Sequence, residues 1–289
     1  VAADVAPLRS ATRLNPTVMR RGCGVLSFPF GEPIRPVCQG DRGPKPVFVL
    51  GVYASAVHAR WVDDDGSVIV SALAVASEPE IFWRGDGTAD IVAGIAVPPG
   101  AGRLEPASKT LNGPSGQTLD DAFLRPLLGQ HGAIRDQAWL CDLLPESRCN
   151  PKQRAALDRE YVPRMQRFGL PEFDFPPVPA VLADEARIRA IEQEILAASP
   201  AVVITLGDQP LRWFTSHYGS HKTLAAYGET ERLYGMLHEV VIGGHRTKLL
   251  PLVHPRQAGR LGSHSPKWSA LHAYWMQNRA ASLMESIPA

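Results

Sequence analysis

The sequence predicts an α/β fold built on a mainly parallel sheet. Three observations lead there. Four short runs, at 47–50, 138–141, 201–206 and 249–253, are almost wholly apolar and lack the alternation of a half-exposed strand. Each gives way to glycine or polar residues. The third run also follows a helical pattern over 184–199, the order found in one arm of a parallel α/β unit.

Size and composition agree with a globular chain. At 289 residues there is room for one large domain or two small ones. Hydrophobic residues make up 45% and charged residues 20%, which is ordinary for such a domain. The formal net charge of +1 creates no overall demand for nucleic acid, although a local basic patch remains open. No apolar run reaches membrane-spanning length, and residues 1–16 lack the apolar core of a secretory signal, so a cytoplasmic chain with no membrane partner is expected. The cysteines, Cys23, Cys38, Cys141 and Cys149, show no C-x-x-C spacing. They read as buried or incidental thiols. An iron–sulfur cluster would require the fold to gather all of them, and no cofactor or metal is expected.

Taken in order, residues 1–45 are rich in Pro, Gly and Arg and read as an irregular arm packed on a single α/β domain at 46–289. Val47 to Leu50 is a buried strand ended by Gly51. Residues 51–58 read as a loop whose small side chains allow close approach to a ligand, with Tyr53, Ser55 and His58 as its polar tips. Asp63, Asp64 and Asp65 read as a solvated turn before Gly66. Residues 66–98 form a β-rich excursion that is inserted into the main sheet or fringes it: β-formers at 67–75, a turn at 83–87 and a second apolar run at 91–97.

A Gly/Ser turn at 112–116 leads into a helix with Leu119, Ala122, Phe123 and Leu127 on one face. Ser115 and Gly116 stand where a helix start is capped or a phosphate held. The strand at 138–141 ends at Asp142, and 145–155 reads as a polar loop. Pro171, Pro176, Pro177 and Pro179 make 171–180 a connector. Asp184 caps a helix with Ile188, Ile191 and Ile195 on one face, and Pro200 ends it. The strand at 201–206 stops at Gly207 and Asp208. A polar stretch follows, holding His217, His221, His238 and His245 without metal-pair spacing. The run at 249–253 ends at His254-Pro255, before a basic loop with Arg256, Arg260 and Leu261. A last helix begins near Ser265, with Trp268, Leu271 and Trp275 as packing residues.

If the four apolar runs share one parallel sheet, their carboxyl ends share an edge. Tyr53, Ser55 and His58 then meet Asp142, Asp208, Gln209 and His254 around one crevice. The segments that carry these residues, in this order, resemble the uracil-DNA glycosylase superfamily. FVLGVYASAVH is similar to its first motif, NGPSGQTLDDAFLRPL to the turn and helix that follow, and AWLCDLLPESRCNP to the strand with the base-recognising amide. SPAVVITLGDQPLRWF is similar to its proline–strand–Leu-Gly segment, and LLPLVHPRQAGRL with PKW to its His-Pro motif, intercalating loop and last helix.

The resemblance implies a three-layer α/β/α sandwich around a central, mainly parallel sheet, and a monomer that flips a base out of DNA to excise it. His254 would donate to the base carbonyl, with Tyr53 and His58 as further catalytic candidates. Gly51, Ser55, Asp142 and Ser115 would bind the base or its nucleotide. Arg256, Arg260 and Lys267 would hold phosphates, and Leu261 would fill the vacated stack, so DNA would dock through 255–264. The chain departs from the family pattern at two places. Asp142 stands where an amide is usual, and the positions after Gly51 that carry the family's acid or amide hold Val52 and Tyr53. A non-catalytic nucleic-acid-binding relative is the alternative. A hydrolase using Ser55 and His254 ranks third, because no G-x-S-x-G elbow is present.

Overall fold

The computed structural model describes residues 25–129 and 133–285. Its strands in chain order are β1 Val47–Tyr53, β2 Ala56–Val62, β3 Val68–Ser77, β4 Arg103–Pro106, β5 Ala138–Leu144, β6 Val202–Leu206, β7 His238–Ile242 and β8 His245–Leu252. One sheet has the order β5-β1-β6-β8-β7, and a second has the order β3-β2-β4. In the first, β5, β1, β6 and β8 run parallel, and β7 is an antiparallel edge strand. The four apolar runs are these four parallel strands. Burial explains their lack of alternation: Val47 to Leu50 and all of β6 are buried.

Helix Glu185–Ala198 precedes β6 as the sequence predicts. The Asp184 carboxylate accepts from the Arg187 N–H at 2.8 Å, and Ile191 and Ile195 are buried. β1 lies between β5 and β6, so the chain leaves β1 on one side and later returns on the other. At such a switch the loops beyond the strand ends part and open a crevice.

The β-rich excursion is a separate antiparallel sheet, not a fringe of the first. Only Ala54 and Ser55 separate β1 from β2, so residues 51–58 are not one loop and His58 sits within a strand. Residues 91–97 are not a strand either. Thr88–Ala93 is helical, and buried Val92 and Ile95 are spaced for a helical turn while Ala93 and Gly94 face solvent.

Residues 145–155 are not all loop. Asn150 accepts from the Gln153 N–H at 3.0 Å, Pro151 takes the first helical position, and helix continues through a π turn to Phe168. β7 arises inside the polar stretch, joined to β8 by Gly243 and Gly244 at φ +55° and +88°.

The buried side chains form two clusters, one around each sheet. The second takes in Phe28 and Phe30 of the N-terminal arm with Trp61, Tyr161 and Phe175. The Tyr161 hydroxyl accepts from the Phe30 N–H at 2.9 Å and donates to the Pro171 carbonyl at 2.9 Å. Among the described residues no helix is long and apolar enough to cross a membrane.

Candidate functional site

A cavity of about 390 Å³ lies at the carboxyl ends of the parallel strands. Its walls include Val52 and Tyr53 from β1, Asp142 from β5, and His254 and Arg256 beyond β8. Ser55, Gly113 to Gly116, and Glu78, Phe82 and Trp83 from the segment after β3 complete it, with Leu111 also on its border.

Asp142 is only 4% exposed, and the Val52 N–H donates to its carboxyl. Gly51 is its partner on the neighbouring strand. A Cβ on Gly51 would lie 2.2 Å from Asp142 Oδ1 and 2.6 Å from Phe82 Cζ. Glycine there lets a carboxyl and an aromatic ring both close over the strand. Burial pushes Asp142 up to about 7, although Arg187 pulls the other way. The Arg187 guanidinium donates to the Asp142 carbonyl at 2.6 Å and to the Leu143 carbonyl at 3.1 Å, fixing the strand end from the helix behind it.

Glu78, 5% exposed, accepts from the Ser55 N–H at 3.1 Å and from the Trp83 N–H. Burial first, and the nearby Asp142 second, push it up to about 8. Two carboxyls whose charges oppose each other titrate as a pair, so near neutral pH they hold about one proton between them. Glu78 also borders a second cavity of about 370 Å³, whose walls include Arg35, Cys38 and Ile91.

His254 caps the short helix Pro255–Ala258, its Nδ1 accepting from the Arg256 N–H at 3.1 Å. An accepting Nδ1 leaves the proton on Nε2, so the ring offers a donor. Burial, then Arg256, lower its pKa to about 4, which keeps it neutral at physiological pH. A hydrogen-bonded chain fixes the strand end just before it. The Val253 N–H donates to the Tyr234 hydroxyl at 3.0 Å, which donates to His272 Nδ1 at 2.8 Å, and His272 Nε2–H donates to the Ala122 carbonyl at 2.9 Å.

The opposite wall is the strap 78–85. Phe82 has φ +51°, unusual for a bulky residue. The Arg135 guanidinium donates to the Phe82 carbonyl at 2.7 Å and to Asp120 at 2.8 Å. The Gln117 side chain donates to the Arg84 carbonyl at 2.7 Å. A Cβ on Gly116 would lie 2.0 Å from the Phe82 carbonyl oxygen, so the strap sits directly on the start of helix 114–128.

Neither a protein-family model nor a curated protein matches this chain.

Of the residues singled out from the sequence, Tyr53, Ser55, Asp142, Ser115, His254 and Arg256 border one cavity. Gly51 does not border it but underlies its Asp142 and Phe82. His58 is not part of it: its backbone bonds the Asn112 side chain at 2.8 and 2.9 Å, and its Nδ1 is buried without a partner. β2 carries it away from the end of β1, so the catalytic role expected of it has no place at this cavity. Asp208 and Gln209 serve local structure, accepting from the Leu224 N–H and the Trp213 indole.

Leu261 is half-buried, and its carbonyl accepts from Arg256 at 3.0 Å. Arg260 is exposed with φ +53°, and Lys267 is ion-paired to Glu229 at 2.6 Å. Cys38, Cys141 and Cys149 are free thiols, and Cys23 lies outside the described residues. Among the described residues no group of three or more His, Cys, Asp or Glu could hold a metal ion. Glu78, Phe82 and Trp83 border the cavity without having stood out in the sequence as site residues. Their one signal was a carboxylate directly after a long β-forming run, at SEPEIFW.

Proposed function

We propose that this chain is a divergent DNA glycosylase-like protein that receives a flipped base in the cavity at the ends of β1, β5 and β8. The observation that carries the reading is the convergence of Tyr53, Asp142 and His254 on one cavity from three strand ends distant in sequence. The family resemblance of those segments supplies the reaction class, and with it the three-layer sandwich, a monomeric state and the absence of a cofactor.

In this reading the Phe82 ring and Tyr53 flank the planar base. His254 Nε2–H donates to the base carbonyl on which negative charge develops, and such a donor contributes about 3–4 kcal/mol. Asp142 reads the pairing edge. Protonated, it offers one donor and one acceptor, as an amide does, and it fits the carbonyl and N–H of a lactam such as uracil or hypoxanthine. Burial, which pushes Asp142 up to about 7, makes that protonated form accessible near neutral pH. Arg256 and Arg260 approach phosphates, and Leu261 or Leu111 meets the gap in the stack.

The test is a single-turnover assay on duplexes holding uracil, hypoxanthine or xanthine. Abasic product from a lactam base, abolished in His254→Ala, is the expected result. No abasic product on the whole panel sinks the excision reading. Salt-dependent DNA binding without product would make the chain the non-catalytic relative.

A further inference from the structure

We propose that Glu78 is the catalytic residue that takes the proton of the attacking water, in place of the acid missing after Gly51. The inference rests on the base-excision reading above. Three observations carry it. Glu78 borders the cavity that holds Asp142 and His254. It is buried, yet among the described residues no Lys, Arg or His forms an ion pair with it. A buried carboxylate kept only for structure is normally paired with a cation. Finally, the Ser55 N–H that anchors it belongs to the two-residue linker after β1. The end of β3 therefore brings a carboxyl to the loop whose own sequence has none.

The step balances without a further reactant. Water oxygen bonds to the sugar C1′ as the C1′–N bond breaks. The bonding pair leaves with the base, whose carbonyl anion is met by the His254 N–H. The water proton passes to the Glu78 carboxylate, which then returns it to the freed base. The active form carries its proton on Asp142 and its charge on Glu78. This is the minor of the two arrangements of the shared proton, since Glu78 has the higher pKa, so only a fraction of the singly protonated pair is active.

Around this pair stand Arg187 behind Asp142, Glu80 beside Glu78, and Tyr53, His254 and Arg256 along the cavity wall. With His254 neutral, the two carboxyls titrate nearest neutral pH, at about 7 and about 8. The rate then rises from the acid side as the pair loses its first proton and falls as it loses its second.

The test compares wild type with Glu78→Gln and Glu78→Ala. It measures single-turnover cleavage of uracil and hypoxanthine duplexes, and affinity for a duplex with a non-cleavable 2′-fluoro analogue. Glu78→Gln is expected to slow cleavage about 100-fold or more and to leave affinity within about threefold, and added formate is expected to speed Glu78→Ala about tenfold. The acid-side rise should vanish in Glu78→Gln. A Glu78→Gln chain that cleaves at the wild-type rate with the wild-type pH profile overturns the role of Glu78 and leaves the excision reading standing. A wild-type chain that yields no abasic product overturns both. If Glu78→Gln does not fold, the wild-type profile decides, and a rate without an acid-side rise overturns the role.

Discussion

The two walls of the cavity are held by different kinds of structure. One wall is a row of parallel strand ends, in which each residue is fixed by hydrogen-bond ladders and a buried core on both faces. The other is the strap 78–85, which belongs to no strand and is fixed by a few side chains reaching its carbonyls. The cavity's polar and aromatic groups are divided between them, with Asp142 and His254 on the first and Glu78 and Phe82 on the second. A ladder spreads its energy over many residues, whereas the strap concentrates it in Arg135 and in the glycines it lies against. Single substitutions should therefore damage the strap far more than the strand ends.

The largest effect should come from Arg135→Met. It strips the nearer of two cations from Asp120, which is 4% exposed, leaving only Arg84 at 3.8 Å, and frees the Phe82 carbonyl. A loss of about 3 kcal/mol is expected, read by urea unfolding, because a buried carboxylate keeps only a distant cation and the strap loses its hydrogen-bond donor. Gly116→Ala should follow at about 2 kcal/mol, since its new methyl meets backbone oxygens of Phe82 and Trp83 that cannot rotate away. If both variants unfold like wild type, the strap is not the fragile wall.

That asymmetry also explains what the sequence disclosed. The parallel strands were legible because burial on both faces writes an apolar run, and the ends of three of the four runs marked cavity residues, the run at 201–206 being the exception. Asp142 and His254 could thus be found by position alone. Glu78 could not. It follows a strand of the second sheet, and nothing in SEPEIFW says that this strand's end reaches the first sheet's crevice. The same cause misplaced His58, since the two-residue break at Ala54 and Ser55 that carries the chain from one sheet to the other looks like the middle of a loop. Two signals were local and available: Asn150-Pro151 as a helix start and Gly243-Gly244 as a hairpin turn.

The carboxyl pair joins the two walls, and pH should pull on it. Asp142 and Glu78 have folded pKa values of about 7 and about 8, above their ordinary values. Over that range the folded state binds more protons than the unfolded state, so these groups lower stability as pH rises from about 4 to about 8. His254 and His272, lowered to about 4 by burial, act in the opposite sense. Below their unfolded pKa of about 6.5 the unfolded state binds the extra protons, so stability rises with pH and largely offsets the carboxyls. Above about 6.5 the carboxyl contribution stands alone. Unfolding free energy should therefore fall by about 2 kcal/mol between pH 6.5 and 8.5, and the Asp142→Asn/Glu78→Gln double variant should lose most of that slope. An equal slope in both chains would mean that the two walls do not meet through this pair.

The smallest effect separates two cations beside the strand-end wall that the sequence alone treated alike. Arg260 is exposed, and among the described residues its guanidinium has no ion-pair partner, while Lys267 is held by Glu229 at 2.6 Å. A phosphate contact releases a counterion only if the cation was free to attract one. If the chain binds DNA as proposed, Arg260→Ala should weaken binding to a short duplex and reduce the slope of log affinity against log salt by about 1. Lys267→Ala should change that slope much less, because Glu229 already offsets its charge. Glu229→Ala should strengthen binding by releasing Lys267. Anisotropy titrations at several salt concentrations give all three slopes. Equal losses for Arg260→Ala and Lys267→Ala would show that DNA displaces Glu229, and the proposed docking surface would then extend from the loop at 255–264 onto the last long helix.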